Sequence, residues 1–282
     1  MKFYANAKIN LMLDVTGKRA DGFHDVKMIM QTLELCDVIT TQVCKSGIEL
    51  DGTDSNLRYD ESNLAYRAAV LFFEKSGIAG GARIHLEKNI PICAGMAGGS
   101  SDAAAVLLAL NTMYGFPITQ DTLIKESACI GSDVPYCIMK GTALAEGRGE
   151  LLTQLAPFTA ENVLIVKPDI DISTPWAYKS LQLDKIHHPD VDKAVKCIES
   201  GNREKLYNLF ENVFENVVFE HYPEVEGIKA DMKRLGADAA LMSGSGPTVF
   251  GIFENSENAK KAYGYFKENY NDTFLTKTYN RN

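Results

Sequence analysis

The sequence predicts an α+β or α/β protein of two domains, on three observations. Strand-like and helix-like stretches alternate along the whole chain. Its 282 residues are 45% hydrophobic, enough for a core in each of two medium domains. The polar, irregular stretch from Pro157 to Asn162 parts two sets of such elements, which places the domains at 1–156 and 157–282.

The elements follow in order. Phe3 to Val15 is apolar with a period near two, Gly17 to Gly22 interrupts it and Val26 to Leu35 resumes it, which predicts a long hairpin. Val38 to Val43 and Ile48 to Leu50 continue as short strands, and Asp51 to Tyr59 is a polar loop. Leu64, Arg67, Ala68, Leu71 and Phe72 recur at helical spacing, so Asn63 to Ser76 is a helix that Gly77 ends. Ala82 to Leu86 is a strand leading into a glycine-rich loop. Ser100 to Tyr114 is the helix that follows, stopped by Gly115 and Pro117, and Thr119 caps another helix running to Ile130. Ala143 to Gly147 and Gly149 to Thr153 read as strand and turn.

Beyond the boundary, Val163 to Val166 is a strand, followed by helices near Pro175 to Leu181, Val191 to Glu199, Arg203 to Val213 and Pro223 to Leu235. Strands at Ala239 to Met242 and Thr248 to Phe253 bracket Ser243-Gly-Ser-Gly-Pro247. A helix over Ala259 to Asn269 and a strand near Phe274 to Tyr279 close the chain.

Composition narrows the function classes. No apolar run approaches the ~18 residues of a membrane span, and the amino terminus has no basic region followed by a hydrophobic signal core. A cytoplasmic protein without a membrane partner is expected. The six cysteines lie far apart with no Cys-x-x-Cys pair, which points to reduced thiols. A net charge of -8 argues against a nucleic-acid partner, since phosphate-backbone binding needs clustered Lys and Arg.

The chemistry centres on Pro91 to Ala103, Pro-Ile-Cys-Ala-Gly-Met-Ala-Gly-Gly-Ser-Ser-Asp-Ala, which runs into an apolar helix. Gly95, Gly98 and Gly99 tolerate positive φ and let backbone N–H groups approach an anion. Ser100 and Ser101 sit where a helix leaves its first N–H groups unpaired, at the positive end of its dipole. A nucleoside triphosphate suits such a cradle. Neither the Walker A pattern nor Gly-x-Gly-x-x-Gly is present. Gly131-Ser132-Asp133 and Ser243 to Pro247 share the small, polar character, which suits a polyphosphate with many oxygens; tight turns use the same residues.

Lys8 stands in an otherwise apolar strand, an awkward place for an ammonium unless a carboxylate or phosphate meets it, and it shares a strand face with Asn10. Asp133 is the candidate carboxylate; a helix cap for Asp133 and a snorkelling edge-strand position for Lys8 are the alternatives. Asp21-Gly-Phe-His24 puts an aromatic ring beside an imidazole, a pair able to stack on a base and bond its edge. Ser173-Thr-Pro-Trp-Ala-Tyr178 adds hydroxyls and two more aromatics, as a capped helix start also does.

In this order, Ala7-Lys-Ile-Asn-Leu11, Lys18-Arg19 with Asp21-Gly-Phe-His24, Pro91 to Ala103, Gly131-Ser-Asp-Val-Pro135 and Leu241-Met-Ser-Gly-Ser-Gly-Pro-Thr248 resemble the motifs of the GHMP kinases over nearly the full chain. The pairing of Ala-Lys-Ile-Asn with Gly-(aromatic)-His is most similar to the branch that phosphorylates a cytidine diphosphate-linked alcohol for isoprenoid synthesis without mevalonate. The resemblance implies a two-domain α+β GHMP kinase fold. Its N-terminal domain would be ribosomal-protein-S5-like, its C-terminal domain ferredoxin-like, with the active site in the cleft between them.

It also implies ATP, with Mg²⁺, on Pro91, Ala94, Gly95, Met96, Ala97, Gly98, Gly99, Ser100 and Ser101, with Asn63 and Lys88 near the adenosine. Asp133 would be the general base toward the acceptor's 2-hydroxyl and Lys8 its charged partner. Asn10, Gly244 and Gly246 would hold the acceptor, and Phe23, His24, Ser173, Thr174, Pro175 and Tyr178 its cytidine. The metal ligands and the oligomeric state stay unassigned. Phe23 replaces the usual Tyr and Met96 the usual Leu; the first swap keeps a ring face without a hydroxyl, the second keeps volume. Kinases of mevalonate, homoserine or sugars, and a non-catalytic nucleotide-binding protein, are the other activities the same fold would serve.

Overall fold

A computed structural model describes residues 1–281 and divides the chain into two compact units. The first comprises Met1–Ala7, Leu35–Ile90 and Ala97–Met139; the second comprises Lys8–Glu34, Pro91–Met96 and the chain from Lys140 onward. Two paired strands, β1 (Lys2–Lys18) and β2 (His24–Cys44), supply residues to both. β2 is one strand where the sequence suggests two. The polar break at Asp37 is absorbed by tertiary bonds, because its Oδ1 accepts the backbone N–H groups of Asn89 (2.6 Å) and Ile90 (2.8 Å).

In the first unit, β4 (Gly81–Glu87) pairs antiparallel with the end of β2, from Val38 opposite Glu87 to Cys44 opposite Gly81, and β3 (Gly47–Gly52) pairs parallel with β4. The helices are α1 (Leu64–Ser76), α2 (Gly98–Met113), α3 (Gln120–Ser127) and α4 (Val134–Met139). α1 buries Ala65, Ala68, Ala69, Leu71 and Phe72 and packs on α2. Almost every side chain of α2 from Ser101 to Leu110 is buried, in keeping with its run of alanines, valine and leucines. α3 stops three residues short of the expected Ile130. α4 is foreshadowed only by the alternative of Asp133 as a helix cap, since six residues beginning Val-Pro are too few to show a period.

In the second unit, β5 (Thr142–Glu146) pairs antiparallel with the early part of β2 and with β6 (Leu151–Gln154). A separate antiparallel sheet contains β7 (Val163–Lys167), β8 (Ala239–Met242), β9 (Val249–Ile252) and β10 (Asp272–Thr276), in the order β10-β7-β9-β8. Helices α5 (Thr174–Ser180), α6 (Val191–Glu199), α7 (Arg203–Tyr207), α8 (Glu215–His221) and α9 (Pro223–Arg234) lie between β7 and β8 in the chain, and α10 (Ser256–Lys267) between β9 and β10. This helix-linked order is ferredoxin-like, as the resemblance implies.

The helix expected over Arg203 to Val213 ends at Tyr207, because Asn212 leaves helical geometry to bridge Leu13 of β1. No helix among the described residues is long and apolar enough to cross a membrane.

Candidate active site

Positive φ falls in the glycine loop at Cys93 (53°), Gly95 (67°) and Ala97 (57°). Of the three glycines expected to use that freedom, only Gly95 does so. Gly98 and Gly99 open α2 in helical geometry, and what Gly98 contributes is space: a Cβ there would stand 3.3 Å from Ile90 Cγ2 and 3.7 Å from Lys88 Nζ. The conformational demand passes to Cys93 and Ala97, each of which stores ~1–2 kcal/mol of backbone strain. Ala94 and Met96 point into the core.

α2 has no side-chain cap, and neither do α5, α8 and α9, whereas α1, α3, α6, α7 and α10 are capped by Asn63, Thr119, Asp190, Asn202 and Asn255. Its first N–H groups therefore have neither an intrahelical acceptor nor a capping oxygen. The hydroxyl of Ser101 is turned inward onto the carbonyl of Asn6, and Ser100 remains half-buried at the helix start.

Within the second unit, three of the implied segments meet at one oxygen. Lys8 Nζ donates to Gly95 O (2.9 Å) and to Asn10 Oδ1 (2.7 Å), and Ser243 Oγ donates to the same Gly95 O (3.0 Å). A Cβ on Gly95 would stand 2.3 Å from Ser243 O, and one on Gly244 3.0 Å from Gly95 O, so both glycines are required by close approach. Lys8 is 5% exposed and both of its partners are neutral. Asn10 is fully buried, with its amide engaged by Lys8 and by Met28 Sδ (3.2 Å). Gly246 stands at φ 83°, and Ser245 Oγ bonds Thr174 Oγ1 at 2.9 Å, joining this loop to the start of α5.

Within the first unit, the starts of α1 and α2 and the Gly131 turn converge. A Cβ on Gly131 would lie 3.6 Å from Ser100 Oγ and 4.0 Å from Leu64 Cδ1, and one on Gly99 3.7 Å from the same Leu64 atom. Asn63 caps α1, its Oδ1 accepting Ala65 N–H (2.9 Å) and its Nδ2 donating to Arg58 O (2.8 Å). Asp133 follows Gly131 at the entry to α4, half-buried, and among the described residues no side chain or backbone group pairs with its carboxylate. It does not cap α4.

Lys88 is buried, with its ammonium between Asp37 and Asp102, the latter at 2.6 Å. Burial works to lower its pKa, but the carboxylates of Asp102 and Asp37 outweigh it and raise the value. Asp102, the fifth residue of α2, is pushed up to about 7 by burial, which Lys88 opposes and Asp37 reinforces; its Oδ1 is buried without a hydrogen-bond partner. Both carboxylates escaped the sequence analysis. Asp102 lies within the quoted motif, but nothing local ties Asp37 to it.

The hairpin turn presents Phe23, 52% exposed beneath the guanidinium of Arg148 at 5.1 Å, and His24. The His24 ring lies 4.9 Å from Tyr178, which also meets an edge-on Phe214 at 4.8 Å. Burial, aided by Lys18, lowers the His24 pKa, so the imidazole is neutral at pH 7 and offers one donor and one acceptor. Ser173, Thr174 and Pro175 are exposed at the start of the helix that carries Tyr178. Phe214 and Arg148 are additions from the structure.

The family of GHMP kinases N terminal domains matches residues 63–141, and that of GHMP kinases C terminal domains matches residues 194–272. The chain is 46% identical to the 4-diphosphocytidyl-2-C-methyl-D-erythritol kinase of Clostridium botulinum (strain Alaska E43 / Type E3), over 99% of this chain and 100% of that protein. It is 46% identical to the kinase of the same name from Lachnoclostridium phytofermentans, over 97% of this chain and 95% of the relative. A crystal structure of 4-(cytidine 5'-diphospho)-2C-methyl-D-erythritol kinase superposes with a TM-score of 0.86 at 32% identity, covering all of both chains.

Proposed function

This chain belongs to the GHMP kinases, within them to the 4-diphosphocytidyl-2-C-methyl-D-erythritol kinase family, and from that premise we propose that it phosphorylates the 2-hydroxyl of 4-diphosphocytidyl-2-C-methyl-D-erythritol with ATP, in the non-mevalonate isoprenoid route. One observation supports the site assignment above others. Lys8 is a buried ammonium held by neutral groups alone, and such a charge is costly until an anion meets it.

Asp133 takes the proton of the 2-hydroxyl as that oxygen bonds to the γ-phosphorus; the bond from this phosphorus to the β–γ bridging oxygen breaks, and ADP leaves. The unpartnered carboxylate of Asp133 suits a base, and the uncompensated charge of Lys8 offsets charge gathering on the phosphoryl group. The uncapped start of α2 and the 95–101 loop receive the ATP phosphates, with Asn63 and Lys88 on the nucleoside side. Lys88 contributes there through Asp102 and α2, since its ammonium faces two carboxylates. Neutral His24 reads the cytosine edge, with Phe23 and Tyr178 offering ring faces; Asn10 acts by holding Lys8, and Gly244 and Gly246 give the acceptor room.

Mg²⁺ would accompany the nucleotide and offset the charge of its phosphates; among the described residues no group of three or more His, Cys, Asp or Glu is arranged to hold a metal ion. The two domains of the family are assigned to 1–156 and 157–282, with the matched segments on either side. Six free thiols suit the cytoplasm.

The test is acceptor choice. Purified protein with ATP and Mg²⁺ is offered the cytidine diphosphate acceptor, mevalonate and homoserine, and ADP release is followed. Turnover on the cytidine acceptor alone is expected; turnover on mevalonate or homoserine with none on it overturns the assignment.

A further inference from the structure

We propose that Asn212 and Glu215 are positioning residues for phosphoryl transfer, acting on Lys8 and Gly95 through the Met242–Gly244 segment; the proposal rests on the kinase reading above. Asn212 lies in the non-helical stretch between α7 and α8, in a parallel bridge to Leu13 of β1. Leu13 N–H donates to Glu211 O (3.0 Å) and Val213 N–H to Leu13 O (3.1 Å), so this stretch is pinned to the strand that carries Lys8 and Asn10.

The Asn212 side chain, 2% exposed, donates from Nδ2 to both Met242 O and Gly244 O at 2.8 Å, while its Oδ1 accepts Phe214 N–H at 3.0 Å. Three residues on, Glu215 Oε1 accepts Met242 N–H (2.9 Å) and its Oε2 receives Lys229 Nζ (2.6 Å). Two buried side chains thus grip the backbone on both sides of Ser243. No other donor does this for the Gly244 carbonyl among the described residues, and an apolar residue at 212 would leave two buried carbonyls unpaired.

What they hold has no slack. Ser243 Oγ and Lys8 Nζ share Gly95 O, and a Cβ on Gly244 would lie 3.0 Å from that oxygen and 3.5 Å from Lys8 Nζ. Movement of the segment by a fraction of an ångström therefore changes what surrounds the Lys8 ammonium. Phe214, two residues after Asn212 and bonded to its side chain, is also the edge partner of Tyr178. One short stretch aligns both the charged centre and the aromatic pocket of this unit.

The experiment compares Asn212→Asp, Glu215→Ala, Glu215→Gln, Ser243→Ala and Asn212→Asp/Ser243→Ala for melting temperature, kcat and KM in the full chain. Asn212→Asp keeps the shape but points an oxygen at two carbonyls. It is expected to lower kcat ~10- to 100-fold, the scale of an ångström misplacement, with KM for ATP changed less than ~3-fold and the fold intact at the assay temperature. Glu215→Gln retains an oxygen for Met242 N–H and is expected to lose less turnover than Glu215→Ala. The double variant is expected to fall well short of the product of its two single losses, because both act through Gly95 O.

A folded Asn212→Asp with wild-type kcat, or losses that multiply fully in the double variant, overturns the proposal. If Asn212→Asp does not fold, equal kcat for the two Glu215 variants overturns it. A wild type that ignores the cytidine acceptor counts against the functional reading instead, and the same variants are then compared on whichever alcohol it phosphorylates.

Discussion

Gly95→Ala perturbs the point where the glycine loop, β1 and the Ser243 turn meet. The new Cβ would stand 2.3 Å from Ser243 O, a backbone atom, and Gly95 holds φ 67°. The left-handed conformation alone costs an alanine ~1–2 kcal/mol. Relieving the overlap by moving the two backbones apart by about an ångström breaks the bonds from Lys8 and Ser243 to Gly95 O. The charged one is worth ~1.5–3 kcal/mol and the neutral one ~1 kcal/mol. The total is about 4 to 6 kcal/mol, which for a chain of this size lowers the melting temperature by roughly 10 °C or more. A misplacement of that size at Lys8 is expected to lower kcat ~100-fold. Gly99→Ala is the matched comparison, because Gly99 is helical and its added Cβ would meet Leu64 Cδ1 at 3.7 Å, an ordinary contact. Its stability is expected to stay within ~1 kcal/mol of wild type or to rise. Thermal melts and steady-state kinetics on both decide it. A Gly95→Ala protein that melts and turns over like wild type refutes the reasoning, as does a Gly99→Ala protein destabilised as severely.

Asp133→Asn is expected to lower kcat ~10²- to 10⁴-fold while ATP still binds, read by kinetics beside nucleotide titration; unchanged turnover removes Asp133 from the chemistry. His24→Ala is expected to raise KM for the cytidine acceptor ~10-fold, with ATP affinity preserved, since it removes a ring partner and an edge contact; a titration with the opposite pattern reassigns the pocket. Asp102, pushed up to about 7 in the fold, binds a proton between about pH 4 and 7 that the unfolded chain has released, so on its account stability falls as pH rises through that window, by on the order of 4 kcal/mol. Asp102→Asn is expected to flatten this decline in denaturation at pH 4.5 and 7.5; an identical slope in both proteins excludes Asp102 as its source.

What was legible in the sequence is what local chemistry enforces. An ammonium in an apolar strand marked Lys8, and close approach marked Gly95 and Gly244; the alternation of elements marked most strands and helices, though not that Lys8–Glu34 and Pro91–Met96 group with the chain from Lys140 onward. Partners set by tertiary contact were not legible. Asp37 reads as a strand break because the N–H donors it accepts from, Asn89 and Ile90, lie far along the chain, and Lys88 reads as available to a ligand because its carboxylates cannot be paired from spacing. Asn212 was absorbed into an expected helix, since a single asparagine does not announce a bridge to Leu13. Positive φ at Cys93 and Ala97, where glycine would be the ordinary choice, has no signal in residue type at all.

That last misfit bears on how the chain divides stability from function. The core is buried and α1, α3, α6, α7 and α10 carry a capping side chain, so local rules are met over much of the fold. Phe116 and Lys140 also hold positive φ and α5, α8 and α9 also lack a side-chain cap, but four exceptions cluster: the strained Cys93 and Ala97, the uncapped start of α2, the neutral company of Lys8 and the solitary carboxylate of Asp133. Each is a deficit that one substitution would repair in a protein selected only to fold, and each falls in a segment bearing the GHMP kinase motifs. A concentration of departures in such segments is the pattern expected when a backbone is held ready for a charged ligand that the polypeptide does not itself supply. On the proposed function, a helix start with unfilled donors would attract phosphate oxygens, a lysine lacking a counter-charge would attract the phosphoryl being transferred, and an unpaired aspartate would take the proton from the alcohol.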